Sequence, residues 1–234
     1  MDARVRAQRH GSNIVFAHSR RQRMKIAIIG ASGTIGQRIR DEALARGHDV
    51  AALVRDTARV PGDIPHLLAV RADVFDVQSI AAAAFGSDVI ISAYAPPQDD
   101  PEQLERAATA LLEAARRLAP ARLIIVGGAG SLEVAPGVQL VDTPEFPAAW
   151  KGIANAHRTA LDVYRANDDV DWTYISPAAF IQPGERTGSY RTGTDQLVTN
   201  AAGESRISAE DFAIAVLDEI ETPRFRRKRF TAAY

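Results

Sequence analysis

The chain has 234 residues, 46% of them hydrophobic and 24% charged, with 16 Gly, 12 Pro and a formal net charge of -1. That suits one domain with a full core and excludes collagen-like, low-complexity and wholly disordered chains. No run of about 18 apolar residues occurs, which excludes a transmembrane helix, and the absence of cysteine excludes disulfides, thiolate nucleophiles and cysteine metal sites.

Residues 1–23 hold six Arg and one Asp, are poor in acids and show no sustained period. They lack the apolar stretch of a secretory signal. Three readings stay open: a disordered tail or mis-assigned start, an organelle transit peptide, or a functional basic arm. Residues 24–234 then carry 22 basic against 28 acidic side chains. That acidic body argues against a nucleic-acid surface, which would show a basic footprint. The five His, at 10, 18, 48, 66 and 157, show no HxxxH or HxH spacing, so no metal site is expected.

From Met24 the pattern changes. Residues 25–29 are a short apolar, β-rich run, the pattern of a buried parallel strand. The run ends in Gly30-Ala31-Ser32-Gly33-Thr34-Ile35-Gly36. Ile35, Ile39 and Ala43 then recur at helical spacing, with Gly47 as the C-terminal cap. Further strands are expected at 48–54, 67–71 and 87–92. Asp99-Asp100-Pro101-Glu102 predicts a helix start, with Leu104, Ala108, Leu111, Ala115 and Leu118 on its buried face. Residues 122–126 form the fifth strand and break into Gly127-Gly128-Ala129-Gly130-Ser131. A Pro-rich loop over 132–148, a helix over about 149–167 and a strand over 172–176 follow.

Residues 183–206 read as a small extension of short polar strands between glycines. Ser208-Ala209-Glu210-Asp211 reads as a capping box opening a helix that buries Phe212, Val216 and Ile220. Pro223 ends it, and 229–234 complete the chain as a strand. Strands alternating with helices predict an α/β fold, a Rossmann-type doubly wound parallel sheet in one domain. Ligands of such sheets bind outside the carboxyl ends of the strands.

The strongest motif is strand, then Gly30-x-x-Gly33-x-x-Gly36, then helix. Gly30 permits the turn, Gly33 lets the backbone approach a pyrophosphate, and Gly36 lets the helix pack against the sheet. The helix start at Thr34-Ile35 offers free N–H groups, and the Ser32 and Thr34 hydroxyls can add donors. Arg55 after the second strand suits a 2′-phosphate and hence NADP, with Arg38 as a possible neighbour. The adjacent Asp56 leaves NAD as the alternative. Asp73-Val74 after the third strand is either an adenine contact or a helix cap.

Together with Gly127-Gly128-Ala129-Gly130-Ser131 and Trp172-Thr173-Tyr174-Ile175-Ser176-Pro177, these motifs resemble the atypical short-chain dehydrogenase/reductases. The chain is most similar there to the NADH-flavin reductase group, related to biliverdin reductase B (flavin reductase). Pro183-Gly184-Glu185-Arg186-Thr187-Gly188-x-Tyr190 and Gly203-Glu204-Ser205-Arg206-Ile207-Ser208 carry that likeness, which spans residues 24–234. The resemblance implies a nicotinamide cofactor and hydride transfer to a planar flavin or quinone-like acceptor in the cytoplasm. One departure stands out. No Tyr-x-x-x-Lys occurs anywhere, because Pro147 stands four residues before Lys151 and Asp168 four after Tyr164. A mechanism that needs that acid–base pair is not expected.

Flavin reduction demands less of the protein, which has to stack two rings while solvent supplies a proton. Candidate lining residues are Ala93 and Tyr94 after the fourth strand, Gly128 and Ser131 after the fifth, and Pro177 to Phe180 after the sixth. Ala93, Gly128 and Pro177 would touch the cofactor. Ser131 could hydrogen-bond the acceptor or merely cap its loop. His157 is a proton donor or a structural histidine, and Lys151 a charge partner or a solvated helix-start residue. Tyr94 and Phe180 either stack on the acceptor or pack. The rival functions are a non-catalytic NAD(P)-binding redox sensor and a structural protein with a vestigial fold.

Overall fold

A computed structural model describes residues 22–234. The Arg-rich segment 1–21 lies outside the described residues. Arg23, which the sequence groups with that segment, pairs with Asp49 and His66.

The glycine turn joins β1 (Lys25–Ile29) to α1 (Thr34–Ala45), and β2 (Asp49–Val54) and β3 (Leu67–Arg71) follow. Then come α2 (Val77–Ala83), β4 (Val89–Ser92), α3 (Gln103–Arg117) and β5 (Arg122–Val126). A small hairpin, β6 (Glu133–Ala135) and β7 (Val138–Gln139), precedes α4 (Ala148–Arg165) and β8 (Trp172–Ser176). The chain ends with β9 (Phe180–Gln182), β10 (Arg191–Gly193), β11 (Arg206–Ser208), α5 (Ala209–Glu221) and β12 (Lys228–Ala233).

Eight strands form the main sheet in the order β3-β2-β1-β4-β5-β8-β12-β10. All neighbours run parallel except β10, which is antiparallel to β12. The order reverses between β1 and β4, which is the switch point where such sheets bind ligands. Alternate residues of each strand face opposite sides. Ile26 and Ile28 pack with Ile39 of α1 and Phe212 of α5, whereas Ala27 and Ile29 share the other core with Ile80, Leu111 and Leu161. Helices on both faces explain why the strands are apolar on both sides.

Local chemistry sets the ends of the helices. Gly47 sits at φ +84° and closes α1, with its own N–H donating to the Leu44 carbonyl and the His48 N–H to the Ala43 carbonyl. This is the paired-bond terminus that favours glycine. The sequence reading omitted α2, whose seven residues bury only Ile80 and give little periodic signal. Asp76 caps it, accepting from the Gln78 and Ser79 N–H groups. The helix-cap alternative for Asp73 is therefore displaced by three residues. Helix α3 begins at Gln103, so Asp99-Asp100-Pro101 forms the turn before it.

The expected capping box at α5 is only half present. The Ser208 hydroxyl accepts from the Asp211 N–H at 3.0 Å. Asp211 does not return the bond but turns to the extension. Its carboxylate accepts from the Thr187 N–H (3.2 Å) and hydroxyl (2.5 Å), the Gly188 N–H (2.8 Å) and the Tyr234 hydroxyl (2.8 Å). Burial pushes this carboxyl up, but those donors outweigh it and hold its pKa below the ordinary value. The stability it contributes is complete above the unfolded-state pKa, about 4, and is lost as pH falls toward the lower folded value. Replacing Asp211 by Asn is expected to lower stability at neutral pH, by about 1.5–3 kcal/mol for each charged hydrogen bond lost. Urea unfolding at several pH values checks this: the gap between parent and variant should narrow below about pH 4.

Candidate dinucleotide site

The three glycines of the turn have different jobs. Gly30 sits at φ +78°, and a Cβ there would lie 2.5 Å from the Ala93 carbonyl oxygen. A Cβ on Gly36 would lie 2.1 Å from the Gly30 oxygen. Both positions exclude side chains because backbone meets backbone. Gly33 is different: its Cβ would meet only the Gly30 oxygen, at 3.3 Å, and the residue is exposed. Within the protein only that one mild contact opposes a side chain at Gly33, so its bare backbone is open to a ligand.

Gly33 is also the N-cap of α1 and offers no side-chain cap, and the first turn of that helix carries no acid. Its leading N–H groups and positive dipole end remain available for an anion. Thr34 is exposed at this helix start, and Ile35 packs into the core beneath it.

A groove of about 620 Å³ opens beside the turn along the carboxyl edge of the sheet. Gly30, Ser32 and Gly33 form one end. Arg55, Asp56 and Arg59 follow β2, Asp73, Val74 and Phe75 follow β3, and Ala93 to Ala95 follow β4. The structure thus brings together eight sequence candidates: Gly30, Ser32, Gly33, Arg55, Asp73, Val74, Ala93 and Tyr94.

Arg59 was missed by sequence reading. It lies in a short 3-10 turn, Thr57–Arg59, inside a polar loop without periodicity. Arg38 is a correction. It donates to Glu210 at 3.1 Å and to the Thr34 carbonyl at 3.1 Å, and it lines a different cavity from Arg55. The Asp56 carboxylate accepts from the Ala58 N–H at 3.1 Å and so caps the 3-10 turn. Asp73 similarly accepts from the Phe75 N–H, fixing the bend after β3.

Tyr94 forms part of the groove wall. Its hydroxyl donates to Gln103 at 2.6 Å, and its ring meets Phe75 edge-on at 5.7 Å. Burial pushes its phenol up. The Arg106 guanidinium lies 4.9 Å from the Phe75 ring centroid.

The remaining candidates lie outside this groove. Ser131 is buried, and its hydroxyl accepts from Arg229 at 2.8 Å. Lys151 is exposed on the first turn of α4, and Pro177 is buried beyond β8. Phe180 is exposed, as is Trp150, an aromatic that the sequence reading did not single out. Gly128 stands after β5 with the His157 ring against it. Burial pushes the His157 pKa down to about 4, so the ring is neutral at neutral pH.

Residues 30–223 match the family described as NAD(P)H-binding. The chain belongs to that family. Three solved structures share its fold over nearly its full length. A Burkholderia pseudomallei protein called a "putative exported protein" is 51% identical, with a TM-score of 0.83, covering 90% of this chain and 100% of that one. A "putative epimerase" from Bacteroides thetaiotaomicron is 36% identical, with a TM-score of 0.84, covering 91% and 98%. A "putative NADH-flavin reductase" from Streptococcus pneumoniae TIGR4 is 32% identical, with a TM-score of 0.80, covering 90% and 99%.

The residues present fit the family's cofactor. The open approach at Gly33 and the uncapped start of α1 suit a pyrophosphate. The exposed Arg55 and Arg59 stand where the adenosine ribose lies in such folds, beyond β2.

Proposed function

We propose that the protein is an NADPH-dependent reductase acting on a planar flavin or quinone-like acceptor. The observation that carries this reading is a groove at the switch point whose open glycine turn and two arginines suit a dinucleotide, in a chain without a Tyr-x-x-x-Lys pair. The bound nicotinamide would supply a hydride. The chain's task is then to hold two rings together and keep water from competing, while the single proton that accompanies the hydride is drawn from solvent. The Streptococcus relative's name supports the acceptor class. That name specifies NADH, whereas Arg55 and Arg59 favour the 2′-phosphate of NADPH in this chain.

Among the sequence candidates, Ser131 and His157 fit support better than proton transfer. Ser131 is committed to Arg229. His157 is neutral, partly buried and hydrogen-bonded within the protein. Lys151, exposed on the first turn of α4, would be the charge partner of an acceptor only if the acceptor reaches that helix. Neither Tyr94 nor Tyr164 is needed as an acid, because Tyr94 donates to Gln103 and burial raises the Tyr164 phenol far above its usual range. A cytoplasmic location goes with this reading, because reduced nicotinamide dinucleotides are supplied there. No helix among the described residues is long and apolar enough to cross a membrane. The Burkholderia relative's name, in contrast, describes that protein as exported.

Steady-state oxidation of NADPH against flavin, quinone and biliverdin-like acceptors tests the proposal. Turnover with at least one acceptor is expected. Replacing Tyr94 by Phe should leave most of it, and a loss of about a hundredfold would reveal a general acid. The kcat profile should show no inflection near about pH 6.5, the ordinary histidine value. The missing Tyr-x-x-x-Lys pair also favours a second reading, a redox sensor. A sensor would bind NADPH tightly and oxidise it with none of these acceptors.

A further inference from the structure

Gly127 and Gly128 leave the carboxyl end of β5, the strand next to β4 and so next to the groove's last wall. Neither glycine has a positive φ, so backbone conformation does not demand them. Two rings do. A Cβ on Gly127 would lie 1.9 Å from Cε1 of Tyr174 and 2.2 Å from Cζ. A Cβ on Gly128 would lie 2.8 Å from Cγ of His157. The turn is bare because one ring is pressed against each residue from within the protein.

The Tyr174 hydroxyl joins three elements. Tyr174 pairs in register with Ile125, which places its ring beside the end of β5. Its oxygen accepts from the Gly128 N–H at 3.4 Å. Its proton goes to the His157 carbonyl at 3.1 Å, with Nδ1 of the same residue at 3.3 Å. The ring itself is held by Tyr164, 6.0 Å away between centroids. Behind the turn, Tyr94, His157, Tyr164 and Tyr174 border a narrow space of about 10 Å³, room for one water at most. Tyr94 also walls the groove, so this packed cluster backs directly onto the groove.

We propose that Tyr174 is a positioning residue. Its hydroxyl fixes the Gly127–Gly128 turn as a flat backbone surface against which the nicotinamide end of the dinucleotide lies. This rests on the groove reading above: with the adenosine end at β2 and β3 and the pyrophosphate at Gly33, the far end extends past β4 to β5. Interactions within the chain hold the surface in place before the ligand arrives, which is what orienting a ring for transfer requires. The hydroxyl is not poised as an acid, because burial raises its phenol above the usual range and outweighs the Gly128 N–H and the Arg229 and Arg165 charges that pull it down.

The test is Tyr174→Phe, which keeps the ring against Gly127 and removes only the oxygen. Three quantities are compared with the parent: the NADPH dissociation constant, the fluorescence yield and anisotropy of bound NADPH, and kcat with a flavin acceptor. The dissociation constant should stay within about threefold, because the anchoring contacts lie elsewhere. Bound-nicotinamide fluorescence should fall toward that of the free dinucleotide, and kcat should drop about ten- to a hundredfold with KM for the acceptor little changed. Parent-like fluorescence and kcat would overturn the proposal. If Tyr174→Phe does not fold, Gly128→Ala decides, since its Cβ displaces the turn from His157 while leaving Tyr174 intact. The same loss of fluorescence is expected there, and a parent-like signal overturns the proposal equally. The fluorescence needs no acceptor. A parent that binds NADPH but turns nothing over sinks the reductase reading and leaves this test standing.

Discussion

Gly33→Val is expected to abolish dinucleotide binding in a protein that still folds. Gly33 has φ −81° and ψ 169°, an extended conformation open to any residue. The new Cβ would meet one atom, the Gly30 oxygen at 3.3 Å, so the turn has to give by only a few tenths of an ångström. Loss of glycine at this cap costs about 1 kcal/mol of stability. Outside the protein the effect is larger, because the isopropyl group occupies the approach to the α1 N–H groups. Two charged hydrogen bonds lost there, at about 1.5–3 kcal/mol each, raise the dissociation constant at least a hundredfold. Gly36→Val provides the contrast. Its Cβ would stand 2.1 Å from the Gly30 oxygen, a backbone clash that no rotamer relieves, and the expected result is loss of the fold itself. Calorimetric titration with NADPH alongside thermal melts separates the two. Unchanged affinity in Gly33→Val would remove the cofactor from this groove.

How much of this was legible in the sequence depended on whether a residue's role is local. Gly30, Gly33 and Gly36 act through a turn seven residues long, and the strand before and the helix after make that turn readable. The apolar runs of β1, β4, β5 and β8 were equally plain, since strands buried on both faces leave little else to read. Helix α2 was missed because seven residues with one buried side chain give too few points to define a period. Arg38 and Arg59 show the limit for a site. Which arginine stands beside Arg55 depends on how α1 is rotated and where the loop after β2 bends. Glu210, 172 residues away, claims Arg38. Tyr174 looked like any strand tyrosine, and its meaning comes from Gly128 and His157, which only the assembled sheet and α4 bring to it. The glycine run that breaks β5 was visible in the sequence, but why 127 and 128 must be bare shows only with the two rings packed against them.

NADPH is expected to bind more tightly than NADH, with Arg55 the main cause. Arg55 is exposed at the end of β2 and lines the groove together with Arg59. The 2′-phosphate adds negative charge at that end, and a planar guanidinium can hold it by two parallel hydrogen bonds. Each such charged pair contributes about 1.5–3 kcal/mol, or about ten- to a hundredfold in affinity, with exposure to solvent favouring the lower figure. The neighbouring Asp56 opposes this less than the sequence suggests, because its carboxylate accepts from the Ala58 N–H and caps the turn that carries Arg59. Arg38 does not share the task, since it is paired with Glu210. Arg55→Ala should therefore weaken NADPH about tenfold and leave NADH unchanged, and Arg55→Ala/Arg59→Ala should bring the two affinities close together. The measurement is the ratio of dissociation constants in the parent and both variants, repeated at raised salt, where the preference should shrink as the charges are screened. A parent that prefers NADH, or an Arg55→Ala variant that loses both cofactors equally, would mean that the end of β2 reads a ribose hydroxyl and the cofactor is NAD.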